Sequence, residues 1–293
     1  MPPRKPENFA IYAAPAMFVV LWASGFIGAK FGLPYVEPLT FLMLRMIVVV
    51  AVLAIVALAT RPRWPGLAGA GHSVVAGLLV HGAYLGGVFI AIDRRLPAGL
   101  SALVVGLQPV LTSTIANRFL GERVIARQWL GLALGIAGVC LVVADKTVAG
   151  EATGLGWGAA VFALMGITLG TLYQKRFGGA IDWRPALIIQ YGAAGALFAF
   201  GSFLFESRTI VWTADLLIAL AWLVFVLSLG AVWLLYFLIR HAAATRVTSL
   251  FYLTPPVTAL MAWLMFGERL GAFALAGMAL CAGGVFLVNW RIR

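Results

Sequence analysis

The chain has 293 residues, of which 63% are hydrophobic and 11% charged, and its mean hydropathy is +1.02. A soluble domain carries roughly 25% charged residues, so this composition cannot cover a water-facing surface. It excludes a soluble enzyme, a nucleic-acid-binding domain and a disordered chain, and it makes the net charge of +11 a matter of topology, because Lys and Arg are retained on the cytoplasmic side of a membrane.

A helix needs about 20 apolar residues to cross about 30 Å of hydrocarbon. Long uncharged runs predict ten spans, near residues 10–30, 39–60, 72–92, 97–119, 128–144, 155–174, 185–205, 215–239, 246–266 and 271–290. The runs are continuous rather than alternating, which argues against strands, and no soluble domain is expected between them. Arg4 and Lys5 precede the first run, but its uncharged stretch from Phe9 to Ala29 is longer than a signal-peptide core and reads as a retained helix. Ten spans put both termini on one side. Of the 21 Lys and Arg residues, Lys30, Arg94, Arg95, Lys146, Arg208 and Arg269 fall on the opposite side and Arg45 falls within the second span. The remainder share the side of the termini, which predicts cytoplasmic termini.

A shift of 146 residues lays the chain on itself. Pro109 falls on Pro255, Thr112 on Thr258, Gly121-Glu122-Arg123 on Gly267-Glu268-Arg269, Gly131 on Gly277 and Gly138 on Gly284. The expected organisation is one membrane domain of two five-helix repeats, residues 1–146 and 147–293. An odd number of spans per repeat inserts the second copy upside down, an arrangement common in secondary transporters.

Pro109 in the fourth span, and Pro255 and Pro256 in the ninth, are expected to kink their helices at matching depth. Each proline removes a helical hydrogen bond, and the freed carbonyls need a partner or a wet cavity. The polar and aromatic residues near that depth are the candidate substrate contacts: Trp22, Ser24, His81, Tyr84, Gln108, Trp233, Tyr236, Tyr252 and Thr254. Gly28/Gly32, Gly82/Gly86, Gly131/Gly135 and Gly166/Gly170 have the small-xxx-small spacing of helix contacts. Cys140 and Cys281 read as packing residues, and the three histidines have no metal spacing.

All ten acidic residues fall in loops or at span ends. A proton-coupled carrier usually holds a carboxylate at mid-membrane, so flux down a gradient is the first expectation here. No catalytic cluster is present either. Arg45 lies about 10 Å along its helix from Pro38, at 1.5 Å per residue. It is expected to pair with a helix C-terminus, a structural role, with a substrate carboxylate as the other reading.

These features resemble the EamA family of the drug/metabolite transporter superfamily. The residues that carry the likeness are Leu21-Trp22-Ala23-Ser24-Gly25-Phe26, Pro38 with Arg45, Gln108-Pro109-Val110 with Leu120-Gly121-Glu122-Arg123, and Thr254-Pro255 with Phe266-Gly267-Glu268-Arg269. The helix from Gly131 to Gly138 belongs to the same pattern. Within the family the chain is similar to YddG-type aromatic amino acid exporters. The resemblance implies an all-α integral membrane carrier of the bacterial inner membrane that exports small metabolites, with a cavity between helices 1, 3, 4, 6, 8 and 9. Partners are then a small-molecule substrate and the lipid bilayer, with no nucleic acid and no cofactor, and the expected state is a monomer. The residues leave two alternatives open: another cargo (drugs, purines, sugar nucleotides or lipids), or a membrane scaffold that transports nothing.

Overall fold

In lipid, an unbroken apolar run has no hydrogen-bond partner but its own backbone, and the chain folds accordingly into helices. The computed structural model describes residues 6–96, 101, 104–119, 125–144, 153–178, 181–241, 244–266 and 272–289. The two Gly-Glu-Arg triplets lie outside the described residues. In chain order the helices are α1 (Pro6–Gly32), α2 (Pro38–Thr60), α3 (Leu67–Asp93), α4 (Gln108–Phe119) and α5 (Ala126–Ala144). They continue as α6 (Gly154–Phe177), α7 (Trp183–Phe205), α8 (Ala214–His241), a short unnumbered helix over Ala244–Ser249, α9 (Thr254–Phe266) and α10 (Ala272–Asn289). Among the described residues the only extended pairing is an isolated bridge between Val36 and Ile210.

Five helices, α2, α3, α6, α7 and α8, are long and apolar enough to cross a membrane. The distribution of side chains is inverted relative to a soluble protein. Ile55, Leu58, Phe200, Phe203, Ile218 and Phe225 point outward, while Arg45, His81, Gln108, Thr168, Thr171 and Gln190 are buried. An apolar exterior over a polar interior is stable only in lipid. The chain is a multi-pass integral membrane protein.

Capping residues set where several helices begin. Thr153 Oγ1 accepts from Gly156 N at 3.1 Å, Asp182 Oδ1 from Arg184 N at 3.0 Å, and Thr213 Oγ1 from Leu216 N at 3.2 Å. Each satisfies an N–H that a helix start leaves orphaned. α2 ends at Arg61, whose left-handed backbone (φ 43°) lets its N–H close on Ala57 O.

The repeat visible in the sequence has a counterpart in the packing. α5 lies along α10 and α2 along α7, while α3 packs on α6 and α8 packs on α1. At the α5–α10 seam a Cβ on Gly131 would stand 2.7 Å from Gly284 O, and one on Gly138 would stand 2.6 Å from Gly277 O. In the 146-residue register Gly284 corresponds to Gly138 and Gly277 to Gly131. Reciprocal contacts of this kind are what a two-fold relation between two copies produces. Cys281 lies between the two pairs, buried, with its Sγ 3.7 Å from the carbonyl of its own counterpart, Gly135. Cys140, expected to be a packing residue, is exposed instead.

Two further features recur in register. α3 widens to a π-helical turn over Leu78–Ala83, and α8 does so over Trp222–Ala231; the first maps onto residues 224–229, inside the second. The expected proline kinks are breaks rather than bends. The chain turns at Gly106 and Leu107 before α4, and a 3-10 turn over Leu250–Leu253 precedes α9. Pro109, Pro255 and Pro256 therefore sit in the first turn of a new helical segment, where a missing N–H costs little.

Candidate functional site

The π-helical turns of α3 and α8 face each other across the core. Such turns splay side chains out of helical register and often mark functional sites. The cavity between them is lined by Trp22, Phe26 and Ala29 of α1, Arg45 of α2, His81, Tyr84 and Phe89 of α3, and Leu227 and Val232 of α8. Its free volume is about 30 Å³, room for one or two water molecules. The described conformation is thus closed around its centre.

Aromatic rings form the wall on the α1 side. Trp22 stacks on Tyr84 with centroids 5.9 Å apart and planes 12° apart, and its Nε1 donates to Tyr84 Oη at 3.2 Å. Phe251 meets Trp22 edge-on at 5.2 Å. On the other side His81 stacks on Tyr191 of α7 at 4.2 Å. Tyr191 Oη donates to Ser228 O at 2.7 Å, and Arg45 Nε donates to Ser228 Oγ at 2.8 Å. Arg45 is 1% exposed. It forms no ion pair among the described residues, and its Nη1 has no hydrogen-bond partner. Arg45 stays mid-helix, as its place within the second span predicts, and lines the cavity with its Nε on a side-chain hydroxyl rather than on a helix C-terminus.

The other candidates distribute unevenly. Trp22, His81 and Tyr84 meet at the cavity. Ser24 turns away, donating to Leu21 O at 2.7 Å and accepting from Trp222 Nε1 at 2.9 Å. Gln108 is buried between α4 and α6, with its Nε2 3.2 Å from Thr171 Oγ1. Tyr252 and Thr254 are buried near the α9 break, and neither hydroxyl has a partner. Tyr252 packs with Leu132, Cys281 and Val288 rather than at the cavity. Trp233 is 41% exposed and lies against Trp183 and Phe237, on the outside of the bundle. An indole on an apolar helix reads the same in sequence whether it faces lipid or cavity.

Tyr236 belongs to one end of the bundle, where an open basin of about 800 Å³ is bordered by Arg61, Arg63, Arg184, Arg240 and Asp182. Asp182 Oδ2 and Arg184 Nη2 pair at 2.6 Å. Hydrogen bonding to Arg184 holds the Asp182 carboxyl below the usual carboxylate range. A separate gap of about 10 Å³ lies among His72, Tyr173, Gln190 and Tyr236 and shares Ile181 with the lining of the basin. Tyr236 Oη and Arg240 Nη2 both donate to Gly178 O at 3.2 Å, Arg240 also donates to Ile181 O, and Lys175 Nζ reaches Ile239 O at 2.8 Å. These bonds tie the end of α8 to the α6–α7 turn.

The opposite end is tied as well. Val211 N donates to Tyr35 O at 2.9 Å and Tyr35 Oη donates to Asp215 Oδ2 at 2.9 Å. That bond raises the Tyr35 phenol above its ordinary range. Glu206 accepts from Leu39 N, Thr40 N and Thr40 Oγ1, each at 2.7 Å, and so caps α2 from the far repeat.

A small, largely apolar cavity with Arg45 and His81 in its wall, lying between helix ends that hydrogen bonds tie together on either side, fits a carrier. The EamA-like transporter family matches residues 10–144 and again 154–290. The chain belongs to this family. EamA relatives cover nearly its full length. The "Uncharacterized transporter YvbV" of Bacillus subtilis (strain 168) is 31% identical over 95% of this chain and 91% of its own. The "Probable amino-acid metabolite efflux pump" of Escherichia coli (strain K12) is 27% identical over 94% of each chain. The "Probable terminal-alkyne amino-acid exporter" of Streptantibioticus cattleyicolor is 29% identical over 95% of this chain and 93% of its own. A solved structure described as "Crystal structure of protein" shares the fold, with a TM-score of 0.78, 19% identity and coverage of 94% of this chain and 95% of that one. As an EamA transporter the chain is a membrane carrier rather than an enzyme.

The candidate residues chosen from the sequence leave out much of this EamA cavity. Tyr191 and Ser228 went unnoticed because a lone hydroxyl on an apolar helix carries no pattern; their meeting joins residues 37 positions apart. Arg45 did carry a signal, as the one charge inside a span.

Proposed function

We propose that the protein is a monomeric carrier of the bacterial inner membrane that exports amino acids, aromatic ones above all, by alternating access. In this reading ten spans form two inverted five-helix repeats, residues 1–146 and 147–293, with both termini cytoplasmic. The observation that carries the proposal is the closed cavity between α1, α2 and α3 of one repeat and α8 of the other, with stacked aromatic rings on one wall and a fixed cation on another. Trp22 and Tyr84 offer faces to an aromatic side chain. Arg45 offers a fork of N–H donors to a carboxylate.

The printed names of the relatives from Escherichia coli and Streptantibioticus cattleyicolor, an amino-acid metabolite efflux pump and an amino-acid exporter, point the same way. Opening the basin end means parting Tyr236 and Arg240 from the α6–α7 turn. Opening the other end means parting Glu206 and Asp215 from the α1–α2 turn. With two sets of ties in series, a substrate is released to one side at a time. No charge-coupling group is invoked, so flux follows the gradient.

Counterflow in proteoliposomes tests this. Liposomes loaded with phenylalanine, tryptophan, threonine or glutamate are given trace labelled phenylalanine outside. Uptake accelerated by internal phenylalanine and tryptophan is the expected result. No acceleration by any of the four, with folded protein in the membrane, would sink the amino acid assignment.

A further inference from the structure

The charges around the cavity are one-sided. A guanidinium is protonated under all conditions a protein meets, so Arg45 is a buried cation, and one Nη lacks any partner. An unpaired charge inside a membrane protein is expensive and normally faces a partner or a ligand. Five acidic side chains have partners of their own, and none of them lines the cavity. Glu37 accepts from Ser207 Oγ and Arg208 N, Glu206 caps α2, Asp215 accepts from Tyr35, and Asp182 and Asp93 pair with their neighbouring arginines. The other polar side chains on the cavity wall are His81 and Tyr84, neither of them a carboxylate, and Tyr84 Oη already accepts from Trp22. Among the described residues the site therefore has a full charge for an anion and no carboxylate for an ammonium.

We infer that this centre selects its cargo by the carboxylate and is indifferent to the amino group: the carrier also takes aromatic acids that lack an α-amine, such as aryl 2-hydroxy and 2-oxo acids, and refuses the matching amines. This rests on reading the cavity as the substrate site. Two parallel N–H···O bonds from Arg45 satisfy the carboxylate, and the ring lies against Trp22 and Tyr84. Replacing the α-amine by a hydroxyl removes no charged contact. Removing the carboxylate leaves Arg45 unpaired beside a second cation.

The test is competition against labelled phenylalanine on the purified full chain in detergent, which avoids passive leak of weak acids through a bilayer. Phenyllactate is expected to compete within about tenfold of phenylalanine, since it keeps the carboxylate and ring. Phenethylamine is expected to be at least about thirtyfold weaker, the scale for losing one partner of a buried charge pair. Arg45→Gln should lose phenylalanine binding by a similar factor while melting at or above the wild-type temperature, because removing an unpaired buried charge does not destabilise. Arg45→Lys should keep the order of preference at lower affinity, lacking the planar fork. If Arg45→Gln does not fold, the order of the three ligands on the wild-type chain decides. Phenylalanine binding with phenyllactate excluded, or with phenethylamine equally accepted, overturns the inference and leaves the amino acid reading standing. If none of the three binds monodisperse protein, both fall together.

Discussion

The α5–α10 seam offers a quantitative check on the two-fold relation between the repeats. Gly131→Ala would set a Cβ 2.7 Å from Gly284 O, and Gly138→Ala would set one 2.6 Å from Gly277 O. A carbon and a carbonyl oxygen approach no closer than roughly 3.3 Å without strain. Each substitution is short by about 0.6–0.7 Å, and the obstacle is backbone, which no rotamer change can clear. The two helices must part. Overpacking of this kind costs about 1–3 kcal/mol, against a gain of about 0.5–1 kcal/mol from replacing Gly by Ala in a helix. The net loss is about 0–2.5 kcal/mol, or a fall in Tm of up to roughly 10 °C. The assay is thermal unfolding of the purified chain in one detergent, beside Gly192→Ala and Gly283→Ala, whose added Cβ meets nothing within 4 Å and which should be neutral or slightly stabilising. Because the two seam positions are counterparts, their losses should agree within about 0.5 kcal/mol, the usual error of such comparisons. Seam variants as stable as the two controls, or one seam variant destabilised and the other neutral, would refute the reciprocal packing.

Three more predictions follow from single contacts. Glu206→Gln puts an amide where two backbone N–H groups of α2 need a carboxylate, and should lower stability by about 1–2 kcal/mol; an unchanged Tm would show that the α7–α8 loop does not hold α2. Asp182 titrates lower in the folded chain than its ordinary value of about 3.9, so its contribution is present above that pH and is lost as pH falls through the lower folded value. Asp182→Asn should flatten the loss of Tm between pH 5 and about 3 relative to wild type, and parallel curves would remove Asp182 from the acid limb. Gln108→Ala should weaken counterflow while leaving the melting temperature near wild type, since Gln108 makes one side-chain hydrogen bond to Thr171 and one long one to Ile167 O; unchanged flux would take Gln108 out of the transport path.

Much of the architecture was legible in the chain because lipid makes secondary structure nearly a function of composition. Uncharged runs must be helical, and most predicted span limits fall within a few residues of the helices. The 146-residue register was readable because prolines and glycines sit where backbones break or touch, and those positions tolerate few substitutes. Gly131 and Gly135 read as helix contacts from their spacing without the neighbour being known, and they close on Gly284 and Tyr252. Trp22, His81 and Tyr84, chosen for their position along their helices, line one cavity, and position along a helix is what sequence reports well.

Rotation about the helix axis is what it reports poorly here. In a soluble helix the polar face marks the outside, but in this chain both faces are apolar, so Trp233 and Trp22 look alike although one faces outward and the other lines the cavity. The partners of polar groups were also invisible, since Arg45 meets Ser228 and Glu206 meets Thr40 across more than 150 residues of chain. Composition and spacing determined that the protein is a duplicated bundle of membrane helices with a polar centre. Only the packing decided which side chains share that centre, because the faces of apolar helices are sorted by contact with one another and not by water.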